Sequence, residues 1–554
     1  MHNQNRSIVI VGASAAGLRC AARLARLEPT VQITVIEQRD LFSYAACGLP
    51  YVLSGDIESA ENLRRTDDGT LRNKDYFSAV KGVNVMSACR AVEIDLKNHK
   101  LIIQTAAGND QINWDELVLA TGSQAKRLPG QPDHPRVKSF HTLDDLAVLH
   151  NGLVHGEIRR VAIVGAGLVG CELAEAFSVM WGAEVVLLEA GPHPLPMVLD
   201  EETGAIVAKV LGDNEVSLQT SAMVEQISAD DKGAVVVAGG KSFSTDVAIV
   251  ALGVSPVTDL ARQAGLALGT TGAIEVDQQL ATSVPHIWAV GDCVQFQHKI
   301  SHKPVCLPLG SLANRQGRTL ANLLAGRQDF FPEPVGAMAV KVFDLNVAAV
   351  GLSRTQALAQ GYDAKSVWIH AHDRADYWPE AKDFALQLTY ATDSLKVLGV
   401  QAAGEGEVAK RIDVAAQLLA NNGDLSAFTH LEHAYAPPYA PTIDPLAVSA
   451  FVALNQQDGV EAVSPLTSLA DKKILDIRNQ EEIKALPISG AQVDTIPLNQ
   501  IRSRLAELDL TGWVVICARG TRSAELCRLL AGQGVMASYL GGGVRWHMLA
   551  DRAK

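Results

Sequence analysis

Two cysteines sit in settings that suit chemistry. The first, Cys47, lies in Ser43-Tyr44-Ala45-Ala46-Cys47-Gly48-Leu49-Pro50-Tyr51, and its nearest neighbours of the same type are Cys20 and Cys89. No local dithiol exists, so a reactive Cys47 needs an external partner: a small thiol in a mixed disulfide, or peroxide giving a sulfenic acid. A turn ahead of a possible helix lets the helix dipole favour the thiolate. Taken alone, the pattern favours a buried, inert cysteine; the flanking sequence reverses that. The second, Cys517, ends the apolar run Val514-Val515-Ile516 and opens the loop Cys517-Ala518-Arg519-Gly520-Thr521-Arg522, before a helical Ala524–Leu530. Such a loop can turn successive backbone N–H groups inward, and that nest, with Arg522, stabilises a thiolate or a persulfide.

The elements around Cys47 are those of nucleotide binding. Ser7–Val11 reads as a strand, Gly12-Ala13-Ser14-Ala15-Ala16-Gly17 as a glycine turn opening a helix to about Leu27, and Val31–Ile36 as a second strand ending on Glu37, 20 residues past Gly17. Glycines let such a turn approach a pyrophosphate seated on the helix N-terminus, and the acid receives ribose hydroxyls. The unit recurs: strand Val161–Val164, turn Gly165-Ala166-Gly167-Leu168-Val169-Gly170, a helix over Cys171–Met180, strand Val185–Leu188 and Glu189. Two fingerprints predict two dinucleotides, most simply a flavin and a nicotinamide. Glu189, with no arginine directly after it, favours NADH, because a 2′-phosphate would meet like charge. Trp114–Gly122 reads as a buried strand ending in a turn at Thr121-Gly122, and Ile287–Asp292 as a strand ending on an acid suited to a ribitol hydroxyl.

At 554 residues the chain has room for three or four domains. A net charge of −13 argues against nucleic acid or anionic membrane as the main partner, and eight scattered cysteines suggest a reducing compartment. No metal-type cysteine spacing, signal peptide or membrane-length apolar run is apparent, so a soluble cytoplasmic protein is expected.

The order G-x-S-x-x-G, A-T-G, G-x-G-x-x-G, A-x-G-D resembles the two-dinucleotide flavin disulfide reductases. S-Y-A-A-C-G-L-P-Y narrows the resemblance to the single-cysteine branch of coenzyme A-disulfide reductases, NADH oxidases and NADH peroxidases. C-A-R-G-T-R, with Leu475-Asp476-Ile477-Arg478 before it and Leu540-Gly541-Gly542-Gly543 after it, is similar to the rhodanese sulfurtransferase loop. The whole layout resembles coenzyme A-disulfide reductase–rhodanese fusions, associated with NADH-dependent reduction of persulfides, polysulfides or coenzyme A disulfide. The family often has asparagine just before the cysteine where this chain has Ala46, which leaves the hydrogen bonding around Cys47 open.

The resemblance implies an α/β protein with two Rossmann-like dinucleotide-binding domains, an α+β dimerisation domain and a C-terminal α/β rhodanese domain. The boundaries expected are 1–150 with 281–330 for FAD, 151–280 for NAD, 331–455 for dimerisation, 456–468 for a linker and 469–554 for the rhodanese. It implies FAD at Gly12, Ser14, Gly17, Glu37, Gln38, Thr121, Gly122 and Asp292, and NADH at Gly165, Gly167, Gly170, Glu189 and Gly253. Coenzyme A would meet Arg19, Arg23, Ser43, Arg64 and Lys74, although arginines at i and i+4 such as Arg19 and Arg23 also suit a solvated helix face. Asp376-Tyr377-Trp378-Pro379 resembles a family Y-Y-P element, and Tyr435-Ala436-Pro437-Pro438 a Y-A-P-P element whose tyrosine faces the other subunit's thiol. A homodimer is therefore expected, with Cys47, Tyr435, Tyr377, Cys517 and Arg522 catalytic, and with coenzyme A persulfide, coenzyme A disulfide or polysulfide as substrate. Two other readings stay open: an NADH oxidase or peroxidase using a Cys47 sulfenic acid, and a sulfur-relay carrier whose flavin part senses redox state.

Overall fold

The computed structural model describes residues 6–505 and 510–550; the polar residues 1–5, expected above to carry no leader, lie outside it. The chain divides into two compact units. One holds Met1–Gly165, Leu173–Val185 and Val224–Pro334; the other holds Ala166–Glu172, Val186–Met223 and Val335–Lys554.

The first unit is built on a five-stranded parallel sheet in the order Ile287–Ala289, Glu116–Leu119, Ser7–Val11, Gln32–Ile36, Asn84–Met86. Its central strand is apolar from Ile8 to Val11 because both faces of the sheet are covered. Ile8 and Ile10 face a core with Leu18, Leu24, Leu320 and Leu324, while Val9 and Val11 face one with Ile94, Leu101 and Ile103. The helices Ala15–Leu27 and Gly310–Leu324 touch backbone to backbone. A Cβ on Gly317 would stand 2.3 Å from the Ala16 carbonyl oxygen, so no side chain fits at that crossing. The same unit contains the parallel strands Val137–Ser139, Val247–Val250 and Arg160–Val164. The helix expected over Cys171–Met180 instead runs Leu168–Glu175 and widens into a π-helical turn, Ala176–Met180, which ends by Gly182 at φ +60°.

In the second unit Val186–Leu188 pairs in parallel with Ser217–Gln219, ahead of the dimerisation-type antiparallel sheet. That sheet runs Met338–Val342, Leu345–Gly351, Val397–Gly404, Asp383–Ala391, Ala364–His372. Asp200 ties the two regions together. Buried, it accepts hydrogen bonds from Gln387 (2.8 Å), Gln401 (2.9 Å), the Arg354 N–H (2.7 Å) and Thr355 Oγ1 (2.8 Å). A buried carboxylate so fully satisfied is a structural anchor rather than a reactive one. The chain ends in a five-stranded parallel sheet, Ala462–Val463, Ser538–Leu540, Val514–Ile516, Lys473–Asp476, Gln492–Thr495, with the helices Thr521–Ala531 and Gly543–Ala550. Residues 456–468, expected as a linker, are partly ordered into these elements. The helix Pro445–Gln457 reaches into them, and Ala462 and Val463 pair with Tyr539 and Leu540 as an edge strand. Among the described residues no helix is long and apolar enough to cross a membrane, and no cluster could hold a metal ion.

Candidate active site

Cys47 lies in a 3-10 turn, Ala46–Gly48, and is the one exposed cysteine of the eight. The turn is pinned by the Ala45 N–H donating to the Leu63 carbonyl (3.0 Å). A Cβ on Gly48 would stand 2.4 Å from Leu63 Cδ2, so a larger residue there would displace the Leu63 side chain. The helix expected to act on the thiol, Leu49–Leu53, has only five residues. A different one reaches it: Sγ is 4.0 Å from the Cβ position of Gly310, first residue of the helix Gly310–Leu324. The unpaired N–H groups of such an end favour an anion. Sequence reasoning missed Gly310, because only the fold brings that distant glycine to the cysteine.

The loop before Cys47 rests on the first glycine turn, where the N–H of Ser43 donates to the Ala13 carbonyl (3.2 Å). Within that turn Gly12 has φ +116° and its Cβ would be 2.1 Å from Ala120 O, while that of Gly17 would be 2.0 Å from Gly12 O. Both glycines exist for close packing. Ser14 is exposed at the helix N-cap and makes no side-chain cap, which leaves the first N–H groups for a phosphate. Glu37 takes the Ala13 N–H (2.9 Å) and the Arg39 N–H (3.0 Å); Gln38 beside it is exposed. Gly122, at φ +69°, borders open space, and Thr121 Oγ1 donates to the Val257 carbonyl (2.6 Å). Asp292 accepts from Ser123 Oγ (3.1 Å), and burial pushes its carboxyl above the ordinary carboxylate range. An open-ended helix, space over Gly122 and a desolvated acid with one donor fit a flavin dinucleotide.

The second turn repeats the plan. Gly165 has φ +104°, with its Cβ position 2.6 Å from Ala251 O, and Gly253, at φ +79°, borders open space as Gly122 does. Glu189, nearly buried, takes the Ala166 N–H (2.8 Å) and the Gly191 N–H (2.7 Å). Gly167 has open space around it and Gly170 is buried. In both units the acid braces its own glycine turn, so a ribose hydroxyl there would share an oxygen already in use.

Residues 6–310 match the family model for pyridine nucleotide-disulphide oxidoreductases, and residues 337–447 match the dimerisation domain of those enzymes. The chain belongs to that family. Over 452 residues it is 32% identical to the NAD(P)H sulfur oxidoreductase (CoA-dependent) of Pyrococcus abyssi, covering 81% of this chain and 98% of that one. Two solved structures extend over the C-terminal sheet too. A NAD-dependent persulfide reductase from A. fulgidus shares 35% identity with TM-score 0.93, covering 98% of this chain and 99% of that one. Bacillus anthracis CoADR-RHD shares 29% with TM-score 0.89, covering 99% and 98%.

The remaining expected residues of this oxidoreductase fall into separate groups. Arg19 is exposed, and Arg23 donates to Asn322 Oδ1 (3.1 Å); desolvation, then the charges of Arg318, Arg327, Arg26 and Arg19, lower the Arg23 pKa. Such crowding of like charge suits an anionic ligand. Ser43 is buried at φ +58°, Arg64 donates to the Phe42 carbonyl (3.4 Å), and Lys74 is exposed. Arg65, by contrast, is paired with Glu61. Tyr377 and Tyr435, far apart in sequence, are both exposed, and the Tyr435 hydroxyl beside Tyr377 raises the Tyr377 pKa.

Cys517 is buried at the end of its strand and receives the Gly520 N–H (3.1 Å) and the Ser523 N–H (3.4 Å), with Ser523 Oγ at 3.3 Å. Gly520 is left-handed at φ +90°, the conformation that turns its N–H inward. Arg522 is held by Glu482 (Nη1–Oε2 3.1 Å), and that bond, ahead of the charge of Cys517, raises its pKa. Ser523 was not singled out from the sequence.

Proposed function

We propose that this oxidoreductase uses NADH to reduce sulfane sulfur or disulfide sulfur on a small thiol carrier at Cys47, and that its C-terminal domain is a rhodanese sulfurtransferase acting through Cys517. The observation that supports the first part is one exposed thiol, set at a helix N-terminus and carried by a loop bonded to the first glycine turn. The residues named above would hold FAD and NADH, and FAD supplies two-electron transfer from nicotinamide to sulfur. With coenzyme A persulfide, the Cys47 thiolate attacks the outer sulfur. The S–S bond of the substrate breaks, coenzyme A leaves as a thiolate, and Cys47 keeps –S–SH; two electrons then restore the Cys47 thiolate and release HS⁻. With coenzyme A disulfide the same attack gives a Cys47–coenzyme A mixed disulfide and one coenzyme A thiolate, and two electrons release the second. The names of the relatives, a CoA-dependent sulfur oxidoreductase and a persulfide reductase, point the same way. Arg19, Arg23, Arg64 and Lys74 would meet the phosphates of coenzyme A.

For the second part, the two N–H groups on Cys517 Sγ support sulfur storage as a persulfide. The matched dimerisation domain supports a homodimer, in which Tyr435 of one subunit would face Cys47 of the other. Steady-state NADH consumption with coenzyme A persulfide, coenzyme A disulfide, polysulfide and peroxide, run side by side, tests the reading. Turnover dominated by peroxide would replace it with a peroxidase using a Cys47 sulfenic acid.

A further inference from the structure

Trp368, His370 and His372 alternate along the strand Ala364–His372 and therefore share one face. That face meets the C-terminal domain. The Trp368 carbonyl accepts the N–H of Gly542 (3.0 Å), and a Cβ on Gly541 would stand 2.8 Å from the Trp368 ring. Next to this seam lies Asp383, opposite His372 on the neighbouring strand. Four side chains converge on its carboxylate: Arg545 Nη1 at 2.7 Å from Oδ2, His372 Nδ1 at 2.6 Å from Oδ1, Arg519 Nη2 at 3.9 Å and His370 Nε2 at 3.9 Å. Arg519, third residue of the Cys517 loop, is also bonded to His372 Nε2. Arg545 follows Val544, and the N–H groups of these two residues donate to the Cys517 and Ala518 carbonyls (3.0 Å each). Both arginines therefore belong to the framework of the loop, and one carboxylate of another domain holds them.

We propose that Asp383 and His372 of the dimerisation-type sheet are positioning residues for sulfur transfer at Cys517, holding the loop through Arg519 and Arg545. The inference rests on the sulfurtransferase reading given above. The His372–Asp383 contact is short but out of line for a hydrogen bond, and its effect is electrostatic. The carboxylate favours the proton on Nδ1, which leaves Nε2 as the acceptor that Arg519 needs. Protonating His372 puts an N–H against the guanidinium and breaks that contact.

The groups facing His372 are Asp383, Arg519, Arg545 and, more distantly, Asp376 and His370. Desolvation, then Arg519, lowers the His372 pKa, and burial lowers that of His370 to about 4. Both rings are thus neutral when the clamp is closed. The sign follows: the clamped arrangement binds fewer protons than the opened one, so it is disfavoured as pH falls below the ordinary histidine value of about 6.5. The transfer itself is balanced. With thiosulfate the Cys517 thiolate displaces sulfite and becomes Cys517–S–S⁻; cyanide then removes the outer sulfur as thiocyanate and regenerates the thiolate.

The test measures thiocyanate formation by the full chain against pH, with thiosulfate and with glutathione persulfide as donors, in wild type, Asp383→Asn, His372→Gln and Cys517→Ser. Melting temperature and FAD content report folding in each. Asp383→Asn is expected to lose roughly tenfold or more at neutral pH and to shift or lose the acid limb. In His372→Gln the amide offers both an N–H and an acceptor, so the neutral-pH rate should stay within about threefold while the acid limb loses the His372 contribution and becomes shallower than in wild type. An unchanged rate and pH profile in folded Asp383→Asn, or an acid limb in His372→Gln identical to that of wild type, overturns the clamp. Absence of Cys517-dependent transfer in wild type with either donor overturns the sulfurtransferase reading instead.

Discussion

The two thiols are protected in opposite ways. Cys47 is exposed, and what acts on it comes from afar: the end of a helix beginning at Gly310 and a loop resting on a glycine turn. Cys517 is buried, and its donors lie within six residues of it, at Gly520 and Ser523. An exposed sulfur suits bulky carriers and needs the rest of the site to supply selectivity. A sulfur wrapped in its own loop stabilises one small added atom.

The largest test of this contrast removes each sulfur in turn. Cys47→Ser is expected to lower NADH-dependent reduction of every sulfur substrate at least ~1000-fold with FAD retained, since no second thiol is placed to act as nucleophile. Cys517→Ser should abolish sulfur transfer and leave reduction of small substrates within about twofold. Equal loss of both activities in either variant, measured by NADH consumption and thiocyanate formation, would show the sites to be obligately coupled.

A single methyl group should sharpen the difference between a local and a distant setting. A Cβ on Gly543, at φ +69°, would stand 2.5 Å from the Gly520 nitrogen and 2.6 Å from that of Arg519. Gly543→Ala should thus distort the Cys517 loop, cost about 1–3 kcal/mol in denaturant unfolding and remove most sulfur transfer. Gly310→Ala adds its methyl 4.0 Å from Cys47 Sγ, at ordinary contact distance, and should keep FAD and shift KM within about threefold.

Glu189 offers a smaller effect on the reductase side alone. It is held in place by two N–H groups, so if the nicotinamide nucleotide binds this turn its charge would face a 2′-phosphate. The enzyme should prefer NADH, and Glu189→Gln should cut that preference by about tenfold. Equal kcat/KM for NADH and NADPH in wild type would show that the nicotinamide nucleotide lies elsewhere.

Asp292 gives the most pH-dependent effect. Its raised pKa means that ionising it costs the folded state. It therefore destabilises the FAD-free protein above the unfolded carboxyl value of about 3.9, and stability is regained as pH falls through the higher folded value. FAD-free Asp292→Asn should melt no lower than wild type at neutral pH, whereas its FAD affinity should fall about tenfold. A clear drop in its melting temperature would mean that the carboxylate is stabilised by contacts beyond Ser123.

Short-range signals were legible in the sequence and long-range ones were not. Gly12, Gly17, Glu37 and their repeats at Gly165 and Glu189 follow from spacing alone, and the structure shows the same bracing of the turn by the acid in both units. The Cys517 loop was equally local. Gly310 beside Cys47, Tyr377 beside Tyr435, and Asp383 beneath Arg519 each join residues that no periodicity connects. The π-helical turn at Ala176–Met180 was missed because an apolar helical pattern reads the same for either winding. The 456–468 stretch reads as a linker because a two-residue edge strand, Ala462–Val463, is too brief to show alternation.

That edge strand bears on how the molecule can be cut apart. A C-terminal fragment beginning at residue 469 would leave the Ser538–Leu540 strand with a bare row of N–H and C=O groups, a template for edge-to-edge pairing of copies into aggregates. A fragment that keeps Ala462 and Val463 carries its own selvedge and should stay dispersed, and a protease nicking the chain between 464 and 468 would leave the strand in place, held by its pairing with Tyr539 and Leu540.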